Sequence, residues 1–189
     1  CENEIGGLEF LSCIPGTVGG GLRMNAGCFD REFKDILISV QAIDRLGQVI
    51  TIPTKEIISK YRDNNLSKDL IFLSASFKGE KKNKKTIKEK MQELKKIKDK
   101  AQPTRKKTSG STFKNPIKQT NKKVWELIRE SVTIDTKFGD ACISDKHANF
   151  FINKNNASFN DMKKLIDFVE KSVEKKTGIK LEKEIKILE

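Results

Sequence analysis

Two short runs of β-branched residues predict a β-hairpin in the first half of the chain. The runs are residues 36–43, "ILISVQAI", and residues 48–52, "QVITI". They flank "DRLG", which places Asp first and Gly last, as a tight turn prefers. A further apolar run at residues 70–77, "LIFLSASF", predicts another strand, so this region is expected to be rich in β-structure.

The hydrophobic period then changes from that of strands to that of a helix. Apolar residues recur at helical spacing and Pro103 lies just beyond them; the stripe consists of Ile87, Met91, Leu94, Ile97 and Ala101. This pattern predicts an amphipathic helix. Its end is the natural boundary between two domains, which we place at residues 1–102 and 103–189.

The second domain is predicted to mix short helices with short strands. A helix is expected near residues 123–130, with strands at "ACIS" and "NFFIN". A longer helix begins at Ser158 or Asn160 and stops at Gly178. The inward-facing residues of the two helices are Val124, Leu127 and Ile128, then Met162, Leu165, Ile166, Val169 and Val173.

The last residues, "LEKEIKIL", alternate in polarity and predict a closing strand. Ile185 and Ile187 fall on one face, whereas Glu182 and Glu184 fall on the other. With the isoleucines in the core, Glu184 would face a cavity. Because the strands are too irregularly spaced for repeated βαβ winding, we expect an α+β fold.

Composition restricts the class of protein without deciding it. The 189 residues are 36% hydrophobic and 34% charged, and no apolar run approaches the roughly 18–20 residues of a membrane span. The net charge of +12 is compatible with a nucleic-acid binder, whose affinity would fall as salt rises. Much of the excess lies in residues 80–100, where acidic residues are mixed among the lysines. A solvated helix face is therefore favoured, and attraction of an anionic small ligand is a second use for the charge.

The cysteines and the single histidine argue against a metal site. Cys1, Cys13, Cys28 and Cys142 form no C-x-x-C pair, so no zinc site is expected. Free, partly buried thiols in a reducing cytoplasm are the default. A lone histidine such as His147 is more often a structural residue than a ligand.

A glycine-rich segment near the start is the first candidate for a binding site. Residues 7–28 read "GLEFLSCIPGTVGGGLRMNAGC", in which Gly16 and the triplet Gly19-Gly20-Gly21 let the backbone approach a flat or phosphorylated ligand. The segment matches neither G-x-G-x-x-G nor a Walker loop. On glycine content alone, a tight turn between elements is the alternative.

Residues 108–116, "TSGSTFKNP", form a second candidate in a chain otherwise crowded with lysine. Serine and threonine offer donors and acceptors without bulk, and glycine permits close backbone approach. Such a segment suits either an ordinary turn or a ligand-binding loop.

The glycine-rich segment closely resembles the flavin-contacting segment of UDP-N-acetylenolpyruvoylglucosamine reductases, the MurB family. The closing "LEKEIKIL" is similar to the family's ending. Further stretches agree in order, namely "YRDNNL" at residues 61–66, "SGSTFKNP" at 109–116 and "HANFFINK" at 147–154. The resemblance covers nearly all of the chain.

This resemblance implies a reductase that converts UDP-N-acetylglucosamine enolpyruvate into UDP-N-acetylmuramate in peptidoglycan synthesis. NADPH would reduce a noncovalently bound FAD, which would pass hydride to the substrate. Residues 1–102 would be the second part of a PCMH-like FAD-binding domain, and residues 103–189 a smaller α+β substrate-binding domain. A cytoplasmic monomer that binds neither nucleic acid nor membrane is implied.

The resemblance also implies roles for individual residues. Ser111 would protonate the carbon beside the new C–H bond, Arg62 would bind the enolpyruvyl carboxylate and enolate oxygen, and Glu184 would help to polarise the carboxyl group. Substrate contacts fall on Tyr61, Lys114 and Asn115, the last at the diphosphate. The implied FAD contacts are Ile14, Pro15, Gly16, Thr17, Val18, Gly19, Gly20, Asn25 and Ala26. No metal is implied.

The chain departs from the family pattern in three places. The family's N-terminal portion, which carries a second glycine loop for the FAD diphosphate, is absent, so half of the flavin site is expected here. The spacing before "SGSTFKNP" leaves no room for a tyrosine-bearing insertion, which resembles the short-loop second type. Asn64 and Asn65 follow Tyr-Arg in place of the familiar serine. The alternative is a truncated, non-catalytic remnant that binds UDP-sugar without flavin.

Overall fold

The computed structural model describes residues 1–188, which form two compact units. The first unit is Cys1–Lys98 and the second begins at Asp99. Every strand pair within residues 1–188 is antiparallel, and helices and strands are mixed in both units. The expected α+β class is confirmed. No helix in this described part has the length and apolar character of a membrane span.

The first unit is organised around a three-stranded sheet. Its helices are α1 (Val18–Arg23) and most of α2 (Lys84–Ala101), and 3-10 turns lie at Glu9–Cys13, Phe33–Asp35 and Thr54–Glu56. Its strands are β1 (Ile5–Gly6), β2 (Gly27–Cys28), β3 (Arg31–Glu32), β4 (Leu37–Ile43), β5 (Val49–Pro53), β6 (Ser59–Lys60), β7 (Asp63–Asn64), β8 (Ile71–Phe77) and β9 (Glu80–Lys81). The main sheet has the order β5-β4-β8, which places β4 at its centre.

The predicted hairpin and the strand after it are confirmed. Val40 and Ala42, two positions apart on the same face of the central strand β4, are completely buried, and Val40 packs in a core cluster with Leu22, Phe33 and Ile57. The turn is held by Asp44, whose Oδ1 accepts hydrogen bonds from the backbone N–H groups of Leu46 (2.8 Å) and Gln48 (2.9 Å). The Asp at the start of "DRLG" therefore closes the hairpin through its side chain.

Helix α2 forms as predicted, although its buried stripe is narrower than the sequence suggests. Ile87 and Leu94 are buried, whereas Ile97 is 46% exposed. Its lysines lie mainly on the exposed face, where Lys90 Nζ is 2.9 Å from Glu93 Oε2. The charge of residues 80–100 is thus a solvated helix face with local ion pairs.

The second unit packs two helices against a four-stranded sheet. The strands are β10 (Lys107–Ser111), β11 (Lys137–Phe138), β12 (Ala141–Ile143) and β13 (Phe150–Asn153), in the order β10-β13-β12-β11. The helices are α3 (Val124–Ser131) and α4 (Phe159–Thr177). The predicted inward residues of α3 are buried, as are four of the five in α4, and Met162 packs against the same core at partial burial.

Both ends of α4 are defined by hydrogen bonds. Ser158 is the N-cap: its Oγ accepts from the Asp161 N–H at 3.1 Å, and its own N–H donates to Asp161 Oδ2 at 2.9 Å. The helix ends at Gly178, whose N–H donates to the Glu174 carbonyl at 2.8 Å. The predicted start at Ser158, rather than Asn160, is confirmed.

The predicted closing strand is wrong. Within residues 1–188 the end of the chain makes an isolated bridge between Phe113 and Lys183 and is not part of any strand. Ile185 and Ile187 do pack against the core at partial burial. Alternating polarity reports that one face is buried, but a strand also needs a continuous ladder of hydrogen bonds, which the irregular backbone beyond Ser111 does not offer.

We expect the Ser158–Asp161 cap to make α4 sensitive to acid. Hydrogen bonds from the Ser158 backbone and hydroxyl lower the pKa of Asp161 below its ordinary value of about 3.9. The stabilisation is therefore complete above that value and is lost as pH falls through the lower pKa of the folded state.

The variant Asp161→Asn measures this effect. The difference in free energy of unfolding between the unchanged chain and the variant should be largest near neutral pH and should shrink below about pH 4, as followed by urea unfolding. A difference that stays constant from neutral to acid pH would contradict this role of Asp161.

Candidate functional site

The glycine-rich segment of the first unit presents bare backbone at the surface. Pro15, Gly16, Thr17 and Val18 are all exposed, and Gly16 has a φ of +134°, which favours glycine. Thr17 caps α1 by accepting a hydrogen bond at its Oγ1 from the Gly20 N–H at 3.1 Å. The backbone of this segment is therefore accessible at the surface, and the Thr17 cap fixes its conformation.

The glycines that follow serve different purposes. A Cβ atom on Gly21 would lie 2.3 Å from the Phe33 ring, whereas a Cβ atom on Gly19 would have its nearest neighbour, Phe72, at 3.9 Å. Gly21 is thus required for packing, because the Phe33 ring occupies the space of its missing side chain. Gly19 has no such neighbour, so its lack of a side chain leaves an accessible surface.

Asn25, an expected cofactor residue, directs its side chain into the protein. It is 2% exposed, and its Nδ2 donates to Glu32 Oε2 (2.9 Å) and to the Lys60 carbonyl (3.1 Å). Its Oδ1 accepts from the Lys34 N–H at 3.0 Å. The amide therefore ties the backbone after α1 to two other segments, and the surface offered to a ligand there is main chain.

The Tyr-Arg pair lies beside the end of the glycine-rich segment. Arg62 Nη2 donates to the Gly27 carbonyl at 3.1 Å, and the Arg62 guanidinium lies 4.9 Å from the centroid of the Tyr61 ring. Arg62 also has a φ of +56°, which is uncommon for a residue other than glycine. The fold of the first unit thus joins two of the motifs that are separate in the sequence.

Asn64 and Asn65 stabilise the backbone in this region. Asn64 Nδ2 donates to the carbonyls of Leu22 (2.8 Å) and Arg23 (3.1 Å), which are the last carbonyls of α1. Asn65 Oδ1 accepts from the Ile58 N–H at 2.8 Å. These structural roles could not be assigned from the sequence, although asparagine is a common partner of unpaired backbone groups.

Cys28 lies within electrostatic reach of Arg62 but is not an activated thiol. Burial raises its pKa, and the neighbouring Cys13 raises it further, against the opposing effects of Lys98 and Arg62. Its Sγ donates to the Phe10 carbonyl at 3.3 Å. Cys1, Cys13, Cys28 and Cys142 are all free thiols, of which Cys1 is exposed.

In the second unit, the serine-rich motif contains a β-bulge. The pairing of β10 with β13 shifts between Thr108 and Ser111, so that Ser111 is opposite Phe150. Gly110 supplies the positive φ of +88° that the bulge uses. The motif is therefore an interrupted strand end, and a bulge is a common means of redirecting a side chain next to a functional site.

The backbone of Glu184 is hydrogen-bonded to the residue that follows Ser111. Thr112 follows Ser111 directly, and its carbonyl accepts a hydrogen bond from the Glu184 N–H at 2.8 Å. The Lys114 N–H donates in turn to the Glu182 carbonyl at 2.8 Å. The fold thus brings together residues that are about seventy positions apart in the sequence. Arg62 belongs to the first unit.

Lys114 and Asn115 both make contacts within the second unit. Lys114 Nζ lies 2.5 Å from Glu182 Oε1, and the lysine side chain is 18% exposed. Asn115 Oδ1 accepts from the Val124 N–H at 3.0 Å and so caps the start of α3. These contacts hold Lys114 against Glu182 and Asn115 at the start of α3.

Thr112 contributes a buried hydroxyl group to the same place. It is 1% exposed, and its Oγ1 has no hydrogen-bond partner among residues 1–188. A buried, unpartnered hydroxyl costs free energy, so its presence beside Ser111 and Glu184 marks a polar position that packing does not explain.

His147 has a structural environment. Its ring lies edge-on to Phe150 at 4.8 Å, and its Nδ1 accepts from the Asn149 N–H at 3.3 Å. Burial lowers the pKa of His147, and the charge of Arg129 lowers it further, whereas a backbone hydrogen bond acts in the opposite direction. The net lowering of the pKa favours the neutral imidazole. Residues 1–188 contain no group of three or more His, Cys, Asp or Glu side chains placed to hold a metal ion.

The chain is similar to proteins of one family along its length. Residues 102–188 match the family described as "UDP-N-acetylenolpyruvoylglucosamine reductase, C-terminal domain". The protein named UDP-N-acetylenolpyruvoylglucosamine reductase from Pelagibacter ubique is 72% identical over 187 residues, which are 99% of this chain and 62% of that protein. The protein of the same name from Rickettsia conorii is 45% identical over 97% of this chain and 61% of its own length.

A solved structure agrees with these sequence matches. The crystal structure of UDP-N-acetylenolpyruvylglucosamine reductase (MurB) from Thermus caldophilus superposes with a TM-score of 0.83 at 31% identity. The superposition covers 98% of this chain and 65% of that one. The chain therefore spans somewhat less than two thirds of the length of these three proteins.

The different surroundings of Gly19 and Gly21 predict opposite effects of adding a methyl group. Gly21→Ala should lower the free energy of unfolding by about 1–3 kcal/mol, because Phe33 must move. Gly19→Ala should leave it unchanged or raise it by up to about 1 kcal/mol, because alanine is the better helix former. Thermal or urea unfolding of the two variants measures this, and equal destabilisation would show that the packing described for Gly21 is not the cause.

Proposed function

Because the chain belongs to the family of UDP-N-acetylenolpyruvoylglucosamine reductases, we propose that it serves the reduction of UDP-N-acetylglucosamine enolpyruvate to UDP-N-acetylmuramate. The reaction uses NADPH and noncovalently bound FAD, and it is a step of peptidoglycan synthesis carried out by a cytoplasmic monomer. The single observation that best supports this proposal is the hydrogen bond from the Glu184 N–H to the carbonyl of Thr112, the residue directly after Ser111.

The first unit fits a flavin at its glycine-rich surface. A Cβ atom on Gly16 would meet nothing within 4 Å, and one on Gly19 would meet only the Phe72 side chain, at 3.9 Å, so a flat ring system can contact the backbone of residues 14–20. Val18, at 53% exposure, adds an apolar contact. When bound and reduced by NADPH, the flavin would supply the hydride for the enolpyruvyl double bond. Asn25 and Ala26 would contribute through the main chain, since the Asn25 amide is engaged internally.

The second unit would hold the substrate and supply the proton. Ser111 donates its hydroxyl proton to the carbon that becomes basic as the double bond is reduced. A serine is a weak acid, so this role depends on fixed geometry, which the bulge and the pairing with Phe150 provide. Glu184, held on the same backbone, orients the carboxyl group of the enolpyruvyl moiety.

Charged groups would position the remainder of the substrate. Arg62 offers a planar guanidinium to the enolpyruvyl carboxylate and to the developing enolate oxygen, with the Tyr61 ring stacked beside it. Lys114 and Asn115 would contact the substrate, Asn115 at its diphosphate, and the net charge of +12 favours an anionic ligand. In this proposal residues 1–102 contribute to the flavin site and residues 103–189 form the substrate-binding domain.

A visible spectrum separates the reductase from a flavin-free protein. A flavin-bearing protein is yellow and should oxidise NADPH faster when the enolpyruvyl substrate is added. A colourless protein that still binds UDP-N-acetylglucosamine by calorimetry would support the alternative of a non-catalytic protein. Tight, salt-dependent binding of RNA or DNA with no response to the UDP-sugar would overturn both.

Ser111→Ala tests the proton-donor role in the flavin-loaded protein. We expect bleaching of the flavin absorbance by NADPH to be unchanged, while reduction of the enolpyruvyl substrate slows by about 10²–10⁴-fold. Stopped-flow absorbance separates the two half-reactions. Ser109→Ala is a matched control, because Ser109 is an exposed serine in the same bulge. Equal losses in both half-reactions would indicate a folding defect and not a lost proton donor.

A further inference from the structure

Asn149 is a buried polar residue that the proposed function leaves without a role. It is 3% exposed and lies immediately before β13. Its Nδ2 donates to the Phe113 carbonyl at 2.8 Å, and its Oδ1 accepts from the Phe113 N–H at 3.0 Å. Its main-chain carbonyl accepts from the Thr112 N–H at 2.8 Å. One residue thus bonds both backbone groups of Phe113 and one of Thr112.

These bonds join the two segments beyond the point where the pairing of β10 with β13 ends. Regular pairing of β10 with β13 ends at Ser111 and Phe150. Beyond that point the asparagine side chain presents a donor and an acceptor in one plane, as the backbone of a neighbouring strand would. The other side of the segment is bonded by Glu182 and Glu184. Residues 112–114 therefore lie between Asn149 and the end of the chain.

The three hydrogen bonds of Asn149 act as a clamp on Thr112 and Phe113, and Ser111 and Glu184 both connect directly to that segment. Ser111 is joined to Thr112 by a peptide bond, and Glu184 is joined to it by its N–H bond to the Thr112 carbonyl. The Phe113 ring anchors the same segment in the core, edge-on to Phe151 at 6.0 Å. A misplacement of about 1 Å can slow a reaction by about 100-fold, so the clamp is placed where it controls rate.

We propose that Asn149 is a positioning residue for substrate reduction, which acts by fixing the backbone that carries Ser111 and Glu184. The inference rests on the proposed function, because it takes the roles of Ser111 and Glu184 from there. Asn149 itself is not proposed to contact the substrate or the flavin. Its contribution is confined to the two backbone groups of Phe113 and the N–H of Thr112.

Asn149→Asp removes one hydrogen bond while retaining the shape of the side chain. A carboxylate still accepts from the Phe113 N–H, but it offers no donor and places an oxygen against the Phe113 carbonyl. The expected local result is faster hydrogen exchange at the backbone amides of Phe113 and Glu184. If this variant does not fold, Asn149→Ser introduces no charge and takes its place with the same expected outcomes.

Asn153 provides a matched control in the same unit. Its Oδ1 accepts from the Ala157 N–H at 2.9 Å and its Nδ2 donates to the Ala157 carbonyl at 3.3 Å. This is the same clamp on the backbone of a different residue, just before α4. Asn153→Asp should therefore have a comparable effect on stability without disturbing residues 111–114.

The decisive measurement compares the two half-reactions of the flavin-loaded protein. For Asn149→Asp we expect substrate reduction to slow by about 10–100-fold, with bleaching by NADPH within about twofold of the unchanged chain. For Asn153→Asp both rates should stay within about twofold. In a colourless protein, the same contrast is expected in the affinity for UDP-N-acetylglucosamine enolpyruvate.

The failure of this inference can be told apart from failure of the proposed function. If Ser111→Ala slows substrate reduction and Asn149→Asp does not, the positioning role is wrong and the function stands. If both asparagine variants slow both half-reactions equally, Asn149 is a structural residue and the inference is also overturned. If Ser111→Ala has no effect, the catalytic assignment fails whatever Asn149 does.

Discussion

Irregular backbone near a ligand must still have its buried N–H and C=O groups hydrogen-bonded, and in this protein asparagine amides meet that requirement. Asn25, which follows α1, bonds the Lys34 N–H and the Lys60 carbonyl. Asn64 bonds the last carbonyls of α1, and Asn149 bonds both backbone groups of Phe113. Each amide supplies a donor and an acceptor where no strand or helix continues. The glycine-rich segment and the segment around Ser111 both depend on asparagine side chains that bond backbone groups in place of a neighbouring strand or helix.

The same requirement explains why the candidate residues occupy unusual backbone positions. Arg62 has a positive φ, and Ser111 follows a bulge that uses the positive φ of Gly110. Such conformations cost free energy and persist only where the surroundings determine them. Here the surroundings are the Asn149 side chain, the Gly27 carbonyl of β2 and the backbone of residues 182–184. The free-energy cost of these backbone conformations therefore falls on residues that carry or adjoin the proposed chemistry.

Much of the fold was predictable because its elements carry strong local signals. The hairpin at Asp44, the presence of helix α2, and the cap and stop of α4 all agree with the pattern of polar and apolar residues. The closing strand was wrong for a physical reason: alternation shows which side chains are buried, and the backbone of residues 182–184 bonds an irregular segment. The motifs also identified the family, which the similarity to the Pelagibacter and Thermus proteins then confirmed.

The sequence by itself determined the element types, the α+β class and the order of the motifs, because periodicity, caps and turn residues act over a few positions. Tertiary structure decided which glycine is packed and which is open, since that depends on Phe33 and Phe72, which are distant in the sequence. It also decided that Asn25, Asn64 and Asn149 face inward, and that the backbone of Glu184 reaches Thr112. Those choices are set by long-range hydrogen bonds between buried groups, and no local pattern encodes their partners.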